Sequence, residues 1–216
     1  MSQIFHPSTN TIARVSIFGL VIFVALAGWV AMSLDRSSAV TRQDLVLDQP
    51  VPFSHKHHIT DVGLDCRYCH TSVEKSAFAG IPPTATCMNC HSQLFTDAPL
   101  LEPVRASFRD NVPLQWTRVY DLPDFVYFNH SIHVAKGIGC TTCHGDIGHM
   151  PMTFKAVSLK MEFCTNCHRD PTPFVRPRDQ VFNPNWDPAS LSNAQRVALM
   201  KEYKVQSRMS CSVCHR

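Results

Sequence analysis

The pattern of apolar positions divides the chain into one long apolar segment and a larger remainder without a sustained period. Residues 15–34 run without a charged side chain. At about 1.5 Å of rise per residue, a helix of this length spans about 30 Å, the thickness of a bilayer core. Trp29 near one end suits a membrane–water interface. The pattern therefore predicts one transmembrane helix over residues 15–34.

A cleaved signal peptide is the main alternative for this segment. The apolar region of a signal peptide is normally shorter, and Ser37-Ser38-Ala39 is a weak cleavage candidate. We therefore expect an uncleaved anchor, preceded by residues 1–14 and followed by a linker over residues 35–49.

The remainder of the chain predicts little regular structure. It contains most of the 15 prolines, and connections such as 170–173 and 183–188 interrupt any regular element. One helix is expected over residues 189–205, where Ser190 can cap the start and Leu191, Ala194 and Val197 begin an apolar side. We expect a mostly irregular fold with short α-helices.

Every cysteine lies in one recurring five-residue pattern, Cys-x-x-Cys-His, which is the attachment signature of haem c. The two cysteines form thioethers with the porphyrin, and the histidine is the proximal iron ligand. The predicted attachment residues are Cys66, Cys69, Cys87, Cys90, Cys140, Cys143, Cys164, Cys167, Cys211 and Cys214. The predicted proximal ligands are His70, His91, His144, His168 and His215. The sequence therefore predicts five covalently bound haem c groups and a function in electron transfer.

Disulfides and structural zinc explain this pattern less well. A disulfide framework uses an even number of cysteines but needs no histidine after every pair. Zinc sites use paired Cys-x-x-Cys knuckles, or cysteine pairs followed by spaced histidines. Neither requires Cys-x-x-Cys-His five times with no cysteine left over.

An internal repeat organises the haem domain. Phe53-Ser54-His55 through His58 precedes the first two motifs, and Phe128-Asn129-His130 through His133 precedes the next two. The offset is 75 residues at both histidine pairs, 74 at the first motif of each copy and 77 at the second. The predicted boundaries are a dihaem module over 50–93, an inter-module linker over 94–126, a dihaem module over 127–175 and a C-terminal segment with the fifth haem over 176–216.

The repeated histidines predict most of the distal iron ligands. Two histidines three residues apart lie on the same side of a helical turn and can reach two haems. His55, His58, His130 and His133 are the candidates, and the sequence leaves open which iron each one serves. His57 has no counterpart in the second copy, so we expect it not to ligate. His6 precedes the anchor and is expected to lie away from every haem.

The fifth haem needs a ligand from outside the repeated pairs. The candidates are Met161, Met150 and His149, with a methionine favoured and His149 as its main rival. A methionine ligand raises the reduction potential relative to bis-histidine ligation. The two methionines also have a structural interpretation, as side chains that pack on the porphyrin faces.

The haems bear on folding and localisation. The polypeptide offers few apolar periodic stretches for a core, whereas five porphyrins supply large apolar surfaces, so we expect no stable fold without haem.

Haem c is attached outside the cytoplasm, which predicts a single-pass inner-membrane protein with a cytoplasmic N-terminus and a periplasmic haem domain. The formal charge is +3, and no basic run with interleaved aromatics suggests nucleic acid binding.

Three segments resemble the pentahaem cytochrome c subunit of bacterial alternative complex III. They are Ala79-Gly80-Ile81-Pro82-Pro83 through His91, Pro52-Phe53-Ser54-His55, and Met161-Glu162-Phe163-Cys164 through Pro171. A tryptophan commonly precedes the fourth motif in that family, where this chain has Phe163.

The resemblance implies a non-enzymatic electron-transfer subunit of a quinol oxidoreductase. Its implied partners are integral membrane quinol-oxidising subunits, an iron–sulfur subunit, a monohaem cytochrome subunit and a soluble periplasmic acceptor or an oxidase. Two other functions stay open. One is a self-contained NrfH/NapC-like membrane quinol dehydrogenase, and the less favoured one is a multihaem reductase, which needs a haem with a vacant distal position.

Overall fold

The computed structural model describes residues 4–215, which form two compact units that meet between Gln43 and Asp44. The first unit contains helix α1 (Ser8–Arg36) and the single turn α2 (Ser38–Thr41). No residue of α1 is buried, and its most apolar 18-residue window has a mean hydropathy of 2.4. By length and composition α1 can cross a membrane. It extends beyond the predicted span of 15–34 because no helix-breaking residue flanks that span until Pro7.

The second unit is built from short helices and irregular chain, as the proline content predicts. From Asp44 to His215 the structure contains no strand, and its isolated bridges include Val46–Phe154 and Ile138–Val175. The α-helices are α3 (Cys66–Cys69), α4 (Thr84–His91), α5 (Glu102–Asp110), α6 (His130–Ala135), α7 (Cys140–His144), α8 (Met161–Arg169) and α9 (Asn193–Glu202). A π-helix covers His57–Asp61, and 3-10 turns cover Pro99–Leu101, Ile147–His149, Thr172–Phe174, Arg178–Gln180, Pro188–Ser190 and Cys211–Val213.

The cysteine motifs alternate between two local structures. The first and third motifs form the single-turn helices α3 and α7, and the fifth motif contains a 3-10 turn. The second and fourth motifs instead lie at the C-terminal ends of the longer helices α4 and α8. The two modules therefore repeat in structure as well as in sequence, with a short motif helix followed by a longer one.

A one-residue insertion distinguishes the two histidine segments. His58 and Gly63 are separated by one residue more than His133 and Gly137, which explains why the repeat offset falls from 75 to 74. The first segment absorbs the extra residue in the π-helix His57–Asp61, whereas the second forms α6. Both segments end at a glycine with positive φ, 84° at Gly63 and 75° at Gly137, where a side chain would be strained.

The two modules contact each other reciprocally. The Lys56 N–H donates to the Met150 carbonyl at 3.0 Å, so the first histidine segment lies on the second module. In return, the His130 N–H donates to the Ala77 carbonyl at 3.2 Å, and Ser131 donates to Ser76. Each histidine segment is therefore fixed by the loop between the two motifs of the other module.

The C-terminal helix is shorter than predicted and has a different cap. It covers Asn193–Glu202 rather than 189–205, and its N-cap is Ser192. The Ser192 hydroxyl accepts from the Gln195 N–H, and the Gln195 side chain accepts from the Ser192 N–H, which completes a capping box. The predicted cap, Ser190, lies in the preceding turn and donates to the Asp187 carbonyl at 2.6 Å.

The apolar core of the polypeptide is small. Ile138, Val175 and Tyr203 form its central cluster, which joins the segment before the third motif to the end of α9. Val175 and Val181 are the only side chains of the described residues that are both large and almost completely enclosed. Such a core contributes little of the apolar burial that a domain of this size needs.

We predict that the full chain produced without haem attachment does not fold cooperatively beyond residue 43. The measurement is limited proteolysis and thermal unfolding in detergent, with the protein matured in a host with haem c attachment as the reference. Rapid cleavage throughout the second unit is expected for the haem-free chain. A protease-resistant, cooperatively unfolding haem-free form would contradict this prediction.

Candidate haem-binding sites

Three pairs of histidine rings lie at nearly the same centroid distance. The ring centroids are 6.2 Å apart in His58–His91 and 6.1 Å apart in His133–His168. They are 6.5 Å apart in the pair His130–His144. A metal ion takes a histidine nitrogen at about 2 Å, so two imidazoles on opposite sides of one iron have centroids about 6 Å apart. All three pairs fit bis-histidine ligation of haem iron.

His55 and His70 form the counterpart of His130 and His144 in the repeat. Burial, followed by the nearby His70 and His58, lowers the pKa of His55 to about 4. Burial, followed by the nearby His130, lowers the pKa of His144 to about 4 as well. His55 and His70 therefore fit a fourth ligand pair, and each predicted distal histidine lies beside a predicted proximal histidine of its own module.

Backbone carbonyls orient most of these imidazoles. A carbonyl only accepts hydrogen bonds, so the ring nitrogen that contacts it, Nδ1, must carry the proton. The other nitrogen, Nε2, is then free to bind a metal. The Nδ1 contacts to carbonyls are His58 to Ser54 at 2.8 Å, His70 to Gly80 at 2.6 Å, His91 to Leu94 at 3.3 Å, His130 to Ala77 at 2.7 Å, His133 to Asn129 at 2.7 Å and His215 to Phe125 at 3.1 Å. The donor set therefore has the tautomer that iron ligation requires.

Two phenylalanines hold the distal histidines, a role that the sequence interpretation missed. The Phe53 ring stacks on His58 at 4.4 Å and meets His55 edge-on at 4.9 Å. The Phe128 ring repeats both contacts, on His133 at 4.5 Å and His130 at 4.7 Å. The signal was present in the sequence as a phenylalanine two residues before each histidine pair.

The five motifs lie next to one another in a single spatial order. The Cys66 and Cys140 thiols interact closely enough to raise the pKa of Cys140, which places the first motif beside the third. Burial and then the neighbouring Cys87 raise the pKa of Cys69, so the second motif adjoins the first. The shared segments support the same order, because His55 and His58 lie beside the histidines of the first two motifs, and His130 and His133 lie beside those of the next two.

The fourth motif continues this order to the fifth. Burial, followed by Cys167 and Cys164, raises the pKa of Cys143, which places the fourth motif beside the third. Burial and then Cys214 raise the pKa of Cys164, and the Arg208 N–H donates to the His168 carbonyl at 3.1 Å. The spatial order of the motifs is therefore second, first, third, fourth and fifth.

The three candidates for the fifth distal ligand lie in different places. Met161 is 70% exposed at the start of α8, one turn before Cys164, and thus near the fifth motif. Met150 is only 4% exposed, and its carbonyl accepts from Lys56 of the first module. The Nδ1 of His149 contacts an Asp146 carboxylate oxygen at 2.6 Å. The residue before it, Gly148, accepts a hydrogen bond from the Thr60 hydroxyl of the first module. Met161 alone lies on the helix whose Cys164 adjoins Cys214.

The remaining histidines lie outside these pairs. His57 is exposed and its Nδ1 lies 3.7 Å from an Asp61 carboxylate oxygen. His6 lies in the first unit, where its Nδ1 contacts the Ser8 hydroxyl at 2.7 Å. All ten cysteines are within the described residues and none forms a disulfide.

Comparisons with known proteins agree with this chemistry. Residues 126–216 match the family model described as cytochrome c7 and related cytochrome c. The chain is also 33% identical over 124 residues to the menaquinone reductase, multihaem cytochrome c subunit, of Nitratidesulfovibrio vulgaris. That alignment covers 57% of this chain and 52% of the relative, so the chain matches about half the length of that protein.

The motifs and both partial similarities are those of multihaem cytochromes c, which are electron-transport proteins. The similarity to cytochrome c7 concerns residues 126–216, and the described chain is mostly helical and irregular, with one N-terminal apolar helix. It is related to the multihaem subunit of a menaquinone reductase.

We predict that His58→Met raises the midpoint potential of one haem, because a methionine ligand replaces one of two imidazoles at the second site. The matched control is His57→Met, which makes the same change one residue away on an exposed side chain. The measurement is a potentiometric titration of the α-band for the full chain in detergent. If the two variants shift the haem midpoint potentials equally, or if His57→Met shifts them more, the result would contradict the pairing of His58 with His91.

Proposed function

We propose that the chain is a membrane-anchored pentahaem cytochrome that relays electrons and has no substrate site of its own. The spatial order of the five motifs carries this proposal, since it is unbranched and includes every motif. Each haem, when bound, supplies a one-electron Fe(III)/Fe(II) couple. The chain attaches the haems through ten cysteines and holds at least four of them between paired imidazoles, which leave no open position for a substrate.

The ends of the order are the sites at which electrons would enter and leave. The second and fifth motifs each include an exposed cysteine, Cys90 and Cys211, whereas every cysteine of the first, third and fourth motifs is partly buried. A partner can therefore approach the two ends more closely than the middle. We propose that one end receives electrons from, or delivers them to, membrane-bound partner subunits, and that the other serves a periplasmic partner.

The proposal also includes the partner proteins and the direction of electron flow. The resemblance to the pentahaem subunit of alternative complex III favours electron flow from integral membrane quinol-oxidising and iron–sulfur subunits to a monohaem cytochrome, a soluble periplasmic protein or an oxidase. In this arrangement α1 anchors the chain in the inner membrane with the haem domain on the periplasmic side. The name of the relative, a menaquinone reductase subunit, favours a second candidate in which electrons flow toward the quinone pool.

We expect a menaquinol analogue to reduce the haems quickly only in the native complex. The measurement is stopped-flow absorbance of the α-band on the isolated subunit and on the gently solubilised complex. Slow reduction of the isolated subunit follows from the lack of a quinol site in this chain. Fast reduction of the isolated subunit would overturn the relay proposal in favour of a self-contained quinol dehydrogenase.

The reverse reaction distinguishes the two directions. Complex whose haems have been reduced chemically is mixed with a menaquinone analogue, and haem oxidation is followed in the same way. Oxidation much faster than the forward reduction would support the quinone-reducing candidate. Oxidation much slower than that reduction would support the quinol-oxidising role.

We propose Met161 as the distal ligand of the fifth haem, because it is the candidate beside that motif. Met161→Leu should remove the charge-transfer absorption of a methionine–iron bond in the oxidised protein and open one site to carbon monoxide. The matched control is Met150→Leu, which replaces a buried methionine beside the first module. Carbon monoxide binding in Met150→Leu instead of Met161→Leu would assign the ligand to Met150.

A further inference from the structure

Arg176 is the most deeply buried charged residue of the described chain, at 3% exposure. It lies beside the third motif, although it follows that motif by more than thirty residues. Its backbone N–H donates to the Gly137 carbonyl at 2.9 Å, and its Nη2 donates to the Thr141 hydroxyl at 2.9 Å. Thr141 is the residue after Cys140, so the guanidinium lies next to a predicted haem attachment.

The guanidinium is enclosed between a glycine and an aromatic ring. A Cβ atom at position 139 would overlap Cζ, Nε and Nη1 of Arg176, so only glycine allows the backbone to approach this closely. The Trp186 ring centroid lies 4.2 Å from Cζ, which is a cation–π contact. Backbone and aromatic ring together therefore fix the position of the positive charge.

No acidic side chain of the described residues pairs with this charge. Arg176 forms no ion pair, and its Nε and Nη1 are buried without a hydrogen-bond partner. The cation that shares its aromatic neighbour is Arg196, whose Cζ lies 5.7 Å from the Trp186 ring centroid. Burying an unpaired cation opposes folding, so this arrangement is unfavourable for stability alone. An arrangement that is locally unfavourable for stability is expected where function requires it.

We propose that Arg176 raises the reduction potential of the haem attached at Cys140 and Cys143 through its buried positive charge. Reduction adds one electron to the iron, and a nearby fixed positive charge stabilises the reduced form. Burial keeps this effect from being screened by salt. The inference rests on the proposed haem attachment at the third motif. Because that motif is in the middle of the spatial order, the charge favours electron arrival at the centre from either end.

The test is Arg176→Met in the full holoprotein, titrated potentiometrically in detergent. One of the five midpoint potentials should fall, while the methionine retains the contact with Trp186. Arg176→Lys keeps the charge and should leave that potential close to the original value. The matched control is Arg178→Met, which removes an equal charge from an exposed arginine that stacks on Tyr203 at 4.1 Å. Solvent screening predicts that no single potential falls in this control.

The affected haem can be assigned with a second substitution. His130→Met raises the potential of the third site and so separates it from the other four. Adding Arg176→Met to that background should lower the separated component and leave the rest unchanged. A fall in a different component would overturn the assignment to the third haem.

The proposed function and this inference fail in different ways. Mass spectrometry of the peptide containing Cys140 and Cys143 shows whether haem is attached, and its absence in the unsubstituted protein would contradict the proposed function. Haem attachment with unchanged potentials in Arg176→Met, or an equal fall in Arg178→Met, would overturn the inference alone. If Arg176→Met yields no holoprotein, Gly139→Ala displaces the guanidinium without removing its charge and should also lower one potential. Failure of both variants to fold would assign Arg176 a structural role and overturn the inference.

Discussion

The structure depends on pairs of imidazoles held about 6 Å apart by hydrogen bonds to the polypeptide. Metal ligation requires one ring nitrogen to be free, and a carbonyl acceptor at the other nitrogen selects that tautomer. In His130 the carbonyl comes from Ala77 of the opposite module, so forming the site requires both modules to be folded together. The geometry of the candidate iron ligands and the contact between the modules therefore depend on the same hydrogen bonds.

This constraint explains why so little regular structure is needed. Short helices suffice because each motif has only to present two cysteines and one histidine, and α7 does so within Cys140–His144. The connections between them can be irregular as long as their carbonyls orient the rings. The π-helix His57–Asp61 illustrates this tolerance, because it absorbs an inserted residue and still places His58 opposite His91.

The sequence predicts the haem-binding chemistry better than it predicts how the motifs and histidines are arranged in space. The apolar run, the motifs and the repeated histidines are local signals, so the N-terminal apolar helix, the short helices and the multihaem cytochrome c chemistry could be predicted from them. The pairing of His58 with His91 rather than with another iron depends on contacts between distant segments, which no local pattern contains. The cap of α9 was assigned to Ser190 instead of Ser192 because both serines precede the same apolar run. The phenylalanine contacts were overlooked because an aromatic residue near a histidine has many explanations until the ring geometry is known.

Arg176 shows how a fold without a large core can still control electrostatics at one site. Its position requires Gly139 on one side and Trp186 on the other, and the Ile138–Val175 bridge helps to bring the segment of Arg176 to that of Gly139. A protein stabilised mainly by its own core could replace this arginine with an apolar residue at little cost. Here the backbone just before the third motif packs directly against the Arg176 guanidinium, since a side chain at position 139 would overlap that group. The same contacts that complete the small core thereby place a buried charge beside the third motif, and this links the stability of the fold to the proposed energetics of electron transfer.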